Sequence, residues 1–190
     1  WSSTINFNDS IQEKFLKFFE DEQKFTLGVC NGCQMLSSIK EIIPGTESWP
    51  SFQKNHSDQF EARLSQVKIL KSKSVLLNGM EDWSLPIIVS HGEGRACFES
   101  KDEINKLFDS EKICMTFVDS SGYQTEQYPL NPNKSPSGIT GITNDNGNIT
   151  IMMPHPERVF RSHQFSWKPL SWGEFSPWMQ IFINAKKFVS

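Results

Sequence analysis

Apolar residues recur along the chain at two spacings, and the spacing distinguishes predicted helices from predicted strands. Helical spacing follows Asp9, which is suited to cap the helix, and begins again directly after Cys30 until the Pro-Gly pair at 44–45. A third helix is expected after Ser176 as N-cap and Pro177 at the first helical position. The apolar residues of the three helices are Ile11, Phe15, Phe18 and Phe19; Met35, Leu36, Ile39, Ile42 and Ile43; and Trp178, Met179, Ile181, Phe182, Ala185 and Phe188.

Short apolar or alternating runs between these helices predict strands. The last two runs are joined through Asn144 to Gly147, residues that favour a tight turn. No internal repeat is present, and NPNKSPSG at 131–138 must form a loop because of its two prolines. The pattern therefore indicates one α/β domain with a β-rich middle. The predicted strands cover 25–29, 64–70, 87–89, 113–118, 139–143 and 149–153.

Composition and charge narrow the possible partners. The chain has 190 residues, of which 37% are hydrophobic and 22% are charged, so one soluble domain with a substantial core is expected. The net charge of −3 and the lack of a basic block argue against nucleic acid or membrane partners. No apolar run is long enough to cross a bilayer, and the first residues lack the basic-then-apolar pattern of a secretory signal, so we expect a cytoplasmic location.

Four cysteines are present, and their positions favour chemistry over a disulfide framework. Cys30 and Cys33 are only three residues apart, whereas Cys97 and Cys114 stand alone. A zinc site is not expected, because a C-x-x-C pair needs a second ligand pair with matched spacing.

Cys30 has the setting of a nucleophile elbow. Gly28 and Gly32 flank it in the order G-x-nucleophile-x-G, with a predicted strand before and a predicted helix after. The two glycines would allow strand and helix to pack closely at a tight turn, and larger residues at either position are expected to clash. The positive end of the helix dipole would favour a thiolate at Cys30, and the N–H of the next residue would donate to an oxyanion.

Two other interpretations of this segment stay open. Cys30 could be a small core hydrophobe, which is the usual fate of a lone cysteine, although the flanking glycines make this the less favoured interpretation. Alternatively, Cys30 and Cys33 could form a redox pair at a helix N-terminus.

A cysteine nucleophile needs a base and a group that orients the base. The segment MMPHPER supplies both just after a predicted strand, with His155 to take the thiol proton and Glu157 to hold its imidazole. Pro154 and Pro156 predict a loop around His155 rather than a helix. On the local pattern alone, however, a histidine in such a loop is more often structural than catalytic.

These segments together closely resemble class I glutamine amidotransferases, and among them the glutaminase domains of the phosphoribosylformylglycinamidine synthase family. The resemblance implies a flavodoxin-like three-layer α/β sandwich that spans 1–190 as one domain. It also implies that an N-terminal strand and a glycine-rich oxyanion loop precede Trp1. The segments that carry the resemblance are GVCNGCQML (28–36), EIIPG (41–45), FEARL (60–64), SHGEGR (90–95), YPLNPNKSPSGI (128–139), MMPHPERVFR (152–161) and SPWMQIF (176–182).

In that family the elbow cysteine attacks the side-chain amide of glutamine, releases ammonia and leaves a glutamyl thioester for hydrolysis. By resemblance, Cys30, His155 and Glu157 form the catalytic triad. Asn31, Gln34 and His91 would contribute to binding glutamine, and no metal is implied. The FEARL and NPNKSPSG segments match the family without indicating a role.

The resemblance further implies a synthetase domain in the same parent chain. That domain would use ATP, magnesium and the ammonia to convert formylglycinamide ribonucleotide to formylglycinamidine ribonucleotide in purine biosynthesis. The segment beyond Arg161, including Trp167 and Trp172, resembles the large single-chain form, in which the glutaminase is C-terminal. A third hypothesis treats the domain as a non-catalytic docking module whose elbow serves only packing and whose aromatic tail forms an interface.

Overall fold

A computed structural model describes all 190 residues as an α/β domain built on one six-stranded sheet. Five α-helices and four short 3₁₀ turns connect or cover the strands. The strands are β1 Thr26–Val29, β2 Ser51–Gln53, β3 Glu61–Ile69, β4 Ser84–His91, β5 Arg95–Cys97, β6 Ile113–Phe117, β7 Ile139–Thr143 and β8 Ile149–Met152. The helices are α1 Ser2–Asn6, α2 Asp9–Phe19, α3 Asn31–Ser38, α4 Lys101–Asp109 and α5 Met179–Phe188.

The strand order places the first and the last strand side by side. The main sheet runs β1-β8-β7-β6-β3-β4, in which β1 and β8 are parallel and the other neighbours are antiparallel. The N–H of Cys30 continues the β1–β8 ladder by donating to the carbonyl of Met152 at 2.9 Å. The segments that follow β1 and β8 therefore leave the same edge of the sheet together.

Two apolar cores lie on the opposite faces of the main sheet. One core contains Phe117 and the buried Trp178 beside α5, and the other contains Leu36 of α3 together with the buried Trp49. Each core buries more than a dozen apolar side chains, which supplies most of the favourable free energy of folding. The resulting arrangement of helices, sheet and helices confirms the predicted three-layer α/β class.

All six predicted strands are present, but the expected details of three helices were wrong. The side chain of Asn8, not Asp9, caps α2 by accepting the N–H of Ile11, and Asp9 is instead the first helical residue. Helix α3 ends at Ser38, and a separate 3₁₀ turn covers Lys40–Ile42 before the Pro-Gly stop. The hydrogen bond from the Ile39 N–H to the Leu36 carbonyl tightens the end of α3.

The C-terminal helix begins later than the sequence indicated. Ser176 does not cap α5, whose N-cap residue is Trp178, because the Ser176 hydroxyl accepts the Trp178 N–H in the turn before the helix. The same hydroxyl donates to the carbonyl of Val159 and so ties that turn to the segment after β8. Three apolar positions of the predicted face, Trp178, Ile181 and Ala185, do pack on the sheet. No helix of the structure is both long and apolar enough to cross a membrane.

Candidate active site

Cys30 lies at a sharp turn between β1 and α3. Its backbone has φ 52° and ψ −106°, a conformation that L-residues rarely adopt and that is typical of functional turns. A Cβ on Gly28 would come within 2.6 Å of the Leu36 side chain and 3.0 Å of the Gly32 carbonyl, as expected for close packing of strand and helix. The expectation of a clash at Gly32 was wrong, because no heavy atom lies within 4 Å of a Cβ added there.

His155 follows β8 and is held at the same edge of the sheet. Its N–H donates to the carbonyl of Ile88 on β4 at 2.8 Å, and its Nδ1 lies 2.7 Å from Oε1 of Glu157. Because a carboxylate only accepts, Nδ1 carries the hydrogen of that bond and the lone pair of a neutral ring lies on Nε2. Nε2 is buried and has no hydrogen-bond partner in the chain at ordinary distance.

The electrostatics of Cys30 and His155 favour a thiolate paired with an imidazolium. Interaction with His155, followed by interaction with His91, lowers the pKa of Cys30 to about 6 although burial opposes the change. Interaction with Cys30, followed by the hydrogen bond with Glu157, raises the pKa of His155 to about 9 against the effect of burial. Burial acts to raise the pKa of Glu157, but its bonds and the nearby charges lower it overall. The pair is therefore charged near neutral pH.

Of the three residues expected to bind glutamine, Gln34 contacts the SHGEGR loop and His91 lies at the start of that loop. The Gln34 amide nitrogen donates to the Glu93 carbonyl at 2.8 Å, which links α3 to the SHGEGR loop. Asn31 is exposed and, together with Gln34, lines an open cavity of about 430 Å³ beside α3. His91, the last residue of β4, is buried close to Cys30, whose thiol faces the carbonyl of Ser90 at 3.8 Å.

Cys33 is unsuited to partner Cys30 as a redox pair in this arrangement. It is fully buried on the inner side of α3, is not disulfide-bonded, and has a pKa raised chiefly by burial. A thiol of this kind rarely forms the thiolate that exchange requires. The four cysteines are all free, and no group of three or more His, Cys, Asp or Glu residues is placed to hold a metal.

The structure also reveals residues near the site to which the sequence assigned no role. Asn131, Asn133 and Ser135 of the NPNKSPSG loop are completely buried and hydrogen-bonded. Asn133 contacts His91 directly, with 2.7 Å between Oδ1 and Nε2. The match of NPNKSPSG to a known family was the only sequence signal at these positions, because polar loop residues are ordinarily exposed.

The three-layer α/β arrangement, with an elbow cysteine after β1 and a His-Glu pair after β8, defines the class I glutamine amidotransferase fold. The chain belongs to the family of CobB/CobQ-like glutamine amidotransferase domains, whose model matches residues 1–189.

Two solved structures illustrate the shared fold. The structure of PurLQS from Thermotoga maritima is similar over 98% of this chain and 68% of its own, with a TM-score of 0.64 and 19% identity. A GMP synthase subunit from Thermoplasma acidophilum is similar over 97% of this chain and 67% of its own, with a TM-score of 0.51 and 12% identity.

Proposed function

We propose that this domain hydrolyses glutamine through a thioester on Cys30 and supplies the ammonia to an ATP-dependent synthetase. The observation that carries the proposal is the 2.7 Å bond between His155 and Glu157, which leaves Nε2 of His155 unbonded beside Cys30. A base oriented by a carboxylate next to a cysteine of lowered pKa is the arrangement that activates a thiol nucleophile. Membership of an amidotransferase family supports glutamine as the substrate.

The reaction begins when the Cys30 thiolate attacks the side-chain amide carbon of glutamine. A carbon–sulfur bond forms, and the negative charge moves to the amide oxygen. The unbonded N–H of Asn31 at the start of α3 is one donor for that oxyanion. His155 then gives its Nε2 proton to the departing nitrogen, so the carbon–nitrogen bond breaks and ammonia leaves a glutamyl thioester.

Hydrolysis of the thioester returns the site to its starting state. Nε2 of His155, now without its proton, takes one from water as the water oxygen attacks the thioester carbon. The carbon–sulfur bond then breaks, the released acid gives its carboxyl proton to solvent to become glutamate, and Cys30 and His155 recover the thiolate and imidazolium forms. Glu157 holds the ring in one orientation throughout, because its carboxylate accepts the Nδ1 hydrogen in both protonation states.

We further propose that the ammonia serves the conversion of formylglycinamide ribonucleotide to formylglycinamidine ribonucleotide in purine biosynthesis. This assignment rests on the long segments GVCNGCQML and MMPHPERVFR, which resemble the phosphoribosylformylglycinamidine synthase family. The fold shared with PurLQS over nearly the whole chain supports it. The synthetase, with its ATP and magnesium, would then be another domain of the same cytoplasmic parent protein. No step at Cys30 passes through either cofactor.

The glutaminase proposal is tested by labelling the protein with an electrophilic glutamine analogue and mapping the adduct by mass spectrometry. We expect one adduct, on Cys30, that excess glutamine prevents. Cys30→Ala should remove the adduct, whereas Cys97→Ser, at another half-buried cysteine, should leave it unchanged. A folded protein with reduced Cys30 and no adduct would overturn the proposal and favour the non-catalytic docking module.

The assignment to the purine pathway is tested by assaying the full-length protein for formylglycinamidine ribonucleotide. We expect glutamine or ammonium salts to support synthesis in the unmodified protein. Cys30→Ala should abolish synthesis from glutamine and retain synthesis from ammonium. If neither nitrogen source gives product while the glutamine analogue still labels Cys30, the domain supplies ammonia to a different synthetase.

A further inference from the structure

His91 is a second histidine next to Cys30, beside the one that the triad uses. It ends β4, is 4% exposed, and contributes after His155 to the lowered pKa of Cys30. The Cys30 thiol also faces the carbonyl of Ser90, the residue just before His91, at 3.8 Å. The sulfur therefore lies between the ends of two strands that each present an imidazole.

Asn133 determines which nitrogen of His91 carries the hydrogen. The Asn133 amide nitrogen donates to the Gly94 carbonyl at 2.9 Å, so its oxygen is the atom that faces His91. Because that oxygen only accepts, Nε2 of His91 must be the donor at 2.7 Å. Nδ1 then carries the lone pair of the neutral ring, and it is buried with no hydrogen-bond partner in the chain.

The NPNKSPSG loop holds Asn133 through a network of buried hydrogen bonds. The Asn131 amide donates to the carbonyls of Thr125 and Ser135 at 3.1 and 2.8 Å, and its oxygen accepts the Ser135 N–H. The Ser135 hydroxyl accepts the N–H of Ala96, just beyond the SHGEGR loop. Buried polar groups that are all bonded in this way keep a single arrangement, because each lost bond leaves a desolvated group.

Gly94 lets the backbone pass directly over the His91 ring. A Cβ at this position would lie 2.2 Å from His91 Nε2 and 2.8 Å from the Asn133 amide nitrogen. Both of these side chains are buried, so neither has room to move away. The loop after β4 is therefore fitted around the contact between His91 and Asn133.

We propose that His91 is a second hydrogen-bonding partner of the Cys30 sulfur through its Nδ1, and that Asn133 is a positioning residue that fixes the ring for this contact. In the thiol form, the sulfur donates its hydrogen to Nδ1. When His155 takes that proton, the S–H bond breaks and an Nε2–H bond forms on His155. A separate proton from solvent on Nδ1 of His91 then lets its ring donate both to the thiolate and to Asn133. His91 thus helps to orient and stabilise the thiolate before attack. The proposal rests on the proposed function only in taking Cys30 as the nucleophile.

The carboxylates around His91 are all bonded to other groups. Glu61 lies opposite His91 in the β3–β4 ladder, but its side chain is bonded to Arg63 and Ser57. Glu93 accepts from Gln34, and Glu157 bonds to His155. Each of these carboxylates thus has a partner other than His91, and none of them bonds Nδ1 of its ring.

A pair of substitutions separates a role at the sulfur from a role in holding the loop. An asparagine at position 91 can place a polar atom near the Nδ1 position, whereas a longer glutamine side chain reaches the Nε2 position and Asn133. We would measure the rate at which iodoacetamide alkylates Cys30 against pH in His91→Asn, His91→Gln and Asn133→Leu. Peptide mapping would separate Cys30 from Cys97, and near-ultraviolet circular dichroism would check the fold.

We expect His91→Gln to slow alkylation at pH 7 by about tenfold or more, as for loss of a charge-assisted hydrogen bond. The pH midpoint of Cys30 alkylation should be higher in His91→Gln than in the unmodified protein, and it should also be higher in Asn133→Leu. His91→Asn should stay closer to the unmodified protein. The opposite order, with fast alkylation in His91→Gln and slow alkylation in His91→Asn, would limit His91 to holding the loop and would overturn the proposal. Unchanged rates in both variants would also overturn it.

Nitrogen NMR of the His91 ring in the unsubstituted protein provides a check that does not depend on a variant folding. We expect a hydrogen on Nε2 throughout, and a change at Nδ1 when alkylation replaces the thiolate with an uncharged thioether. An Nδ1 signal that alkylation leaves unchanged would overturn the proposal. Iodoacetamide does not depend on glutamine chemistry. If the alkylation of Cys30 depends on His91 as expected but the glutamine analogue forms no adduct, the proposed function fails and this inference stands.

Discussion

His155 and Glu157 are hydrogen-bonded at 2.7 Å although a single residue, Pro156, separates them. Pro156 begins a 3₁₀ turn that ends at Arg158, and this tight turn brings the two side chains to the same side of the backbone. The side chain of Glu157 is 44% exposed, whereas that of His155 is 7% exposed. A carboxylate that is still in contact with solvent thus orients a buried imidazole.

Glu157→Gln tests whether the charge of this carboxylate matters beyond its hydrogen bond. The amide oxygen of glutamine can still accept the Nδ1 hydrogen, but it does not stabilise an imidazolium in the same way. We expect glutamine hydrolysis to fall by about 10²-fold or more, within the usual range for impaired general acid–base catalysis. Glutamate release at saturating glutamine measures the effect.

The matched control for Glu157→Gln is Glu174→Gln, at an exposed acid that pairs with Arg161 at 3.6 Å. It makes the same chemical change away from Cys30 and should leave hydrolysis unchanged. A fully active Glu157→Gln protein would show that the carboxylate is not needed for turnover.

The pH dependence of Cys30 reactivity follows from its lowered pKa. Only the thiolate reacts, so alkylation by iodoacetamide should fall as the pH falls through about 6, where the sulfur gains its proton. His155→Ala removes the largest cause of the lowered pKa and should move this midpoint upward. At pH 7, the variant should therefore react more slowly than the unmodified protein.

The control for this profile is Cys97, which is half-buried and can be followed in the same digests. Its alkylation profile should not change in His155→Ala. An identical Cys30 midpoint with and without His155 would contradict the proposed ion pair and leave His155 a structural role.

Gly28 and Gly32 should respond differently to alanine, although both flank Cys30 in the motif. In Gly28→Ala the new methyl group meets Leu36 and the Gly32 backbone, and overpacking of this kind costs about 1–3 kcal/mol. Gly32 is the second residue of α3 and has free space, so Gly32→Ala should be neutral or stabilising by up to about 1 kcal/mol. Urea unfolding of both variants measures the difference, and equal losses would contradict the packing seen at Gly28.

Local signals explain why the elbow could be predicted from the sequence. The strand before Cys30 and the helix after it each show their own periodicity, and the glycines mark the turn between them. The same holds for His155 and Glu157, which are two residues apart in a loop set by prolines. The sequence placed these side chains near strand ends, but only the pairing of β1 with β8 brings them together.

The parts that could not be predicted depend on weak patterns or distant contacts. Strands β2 and β5 have three residues each, too few to show alternation, and α4 carries only three apolar residues among charged ones. His91 and Asn133 are 42 positions apart, and their contact depends on a polar loop being buried by the rest of the fold. No spacing rule connects two residues in that way.

Cys33→Ala provides the sharpest test between hydrolysis and redox chemistry. Cys33 is completely buried behind Cys30, with a pKa raised by its burial, so it contributes packing rather than a reactive thiol. Alanine is a better replacement than serine, because a serine hydroxyl would be buried without an assured partner. We expect a loss of about 1 kcal/mol in the free energy of unfolding from the smaller side chain. Glutamine hydrolysis and the Cys30 adduct should remain close to those of the unmodified protein. A redox pair needs both sulfurs, so loss of activity in a variant that remains folded would instead support disulfide exchange between Cys30 and Cys33.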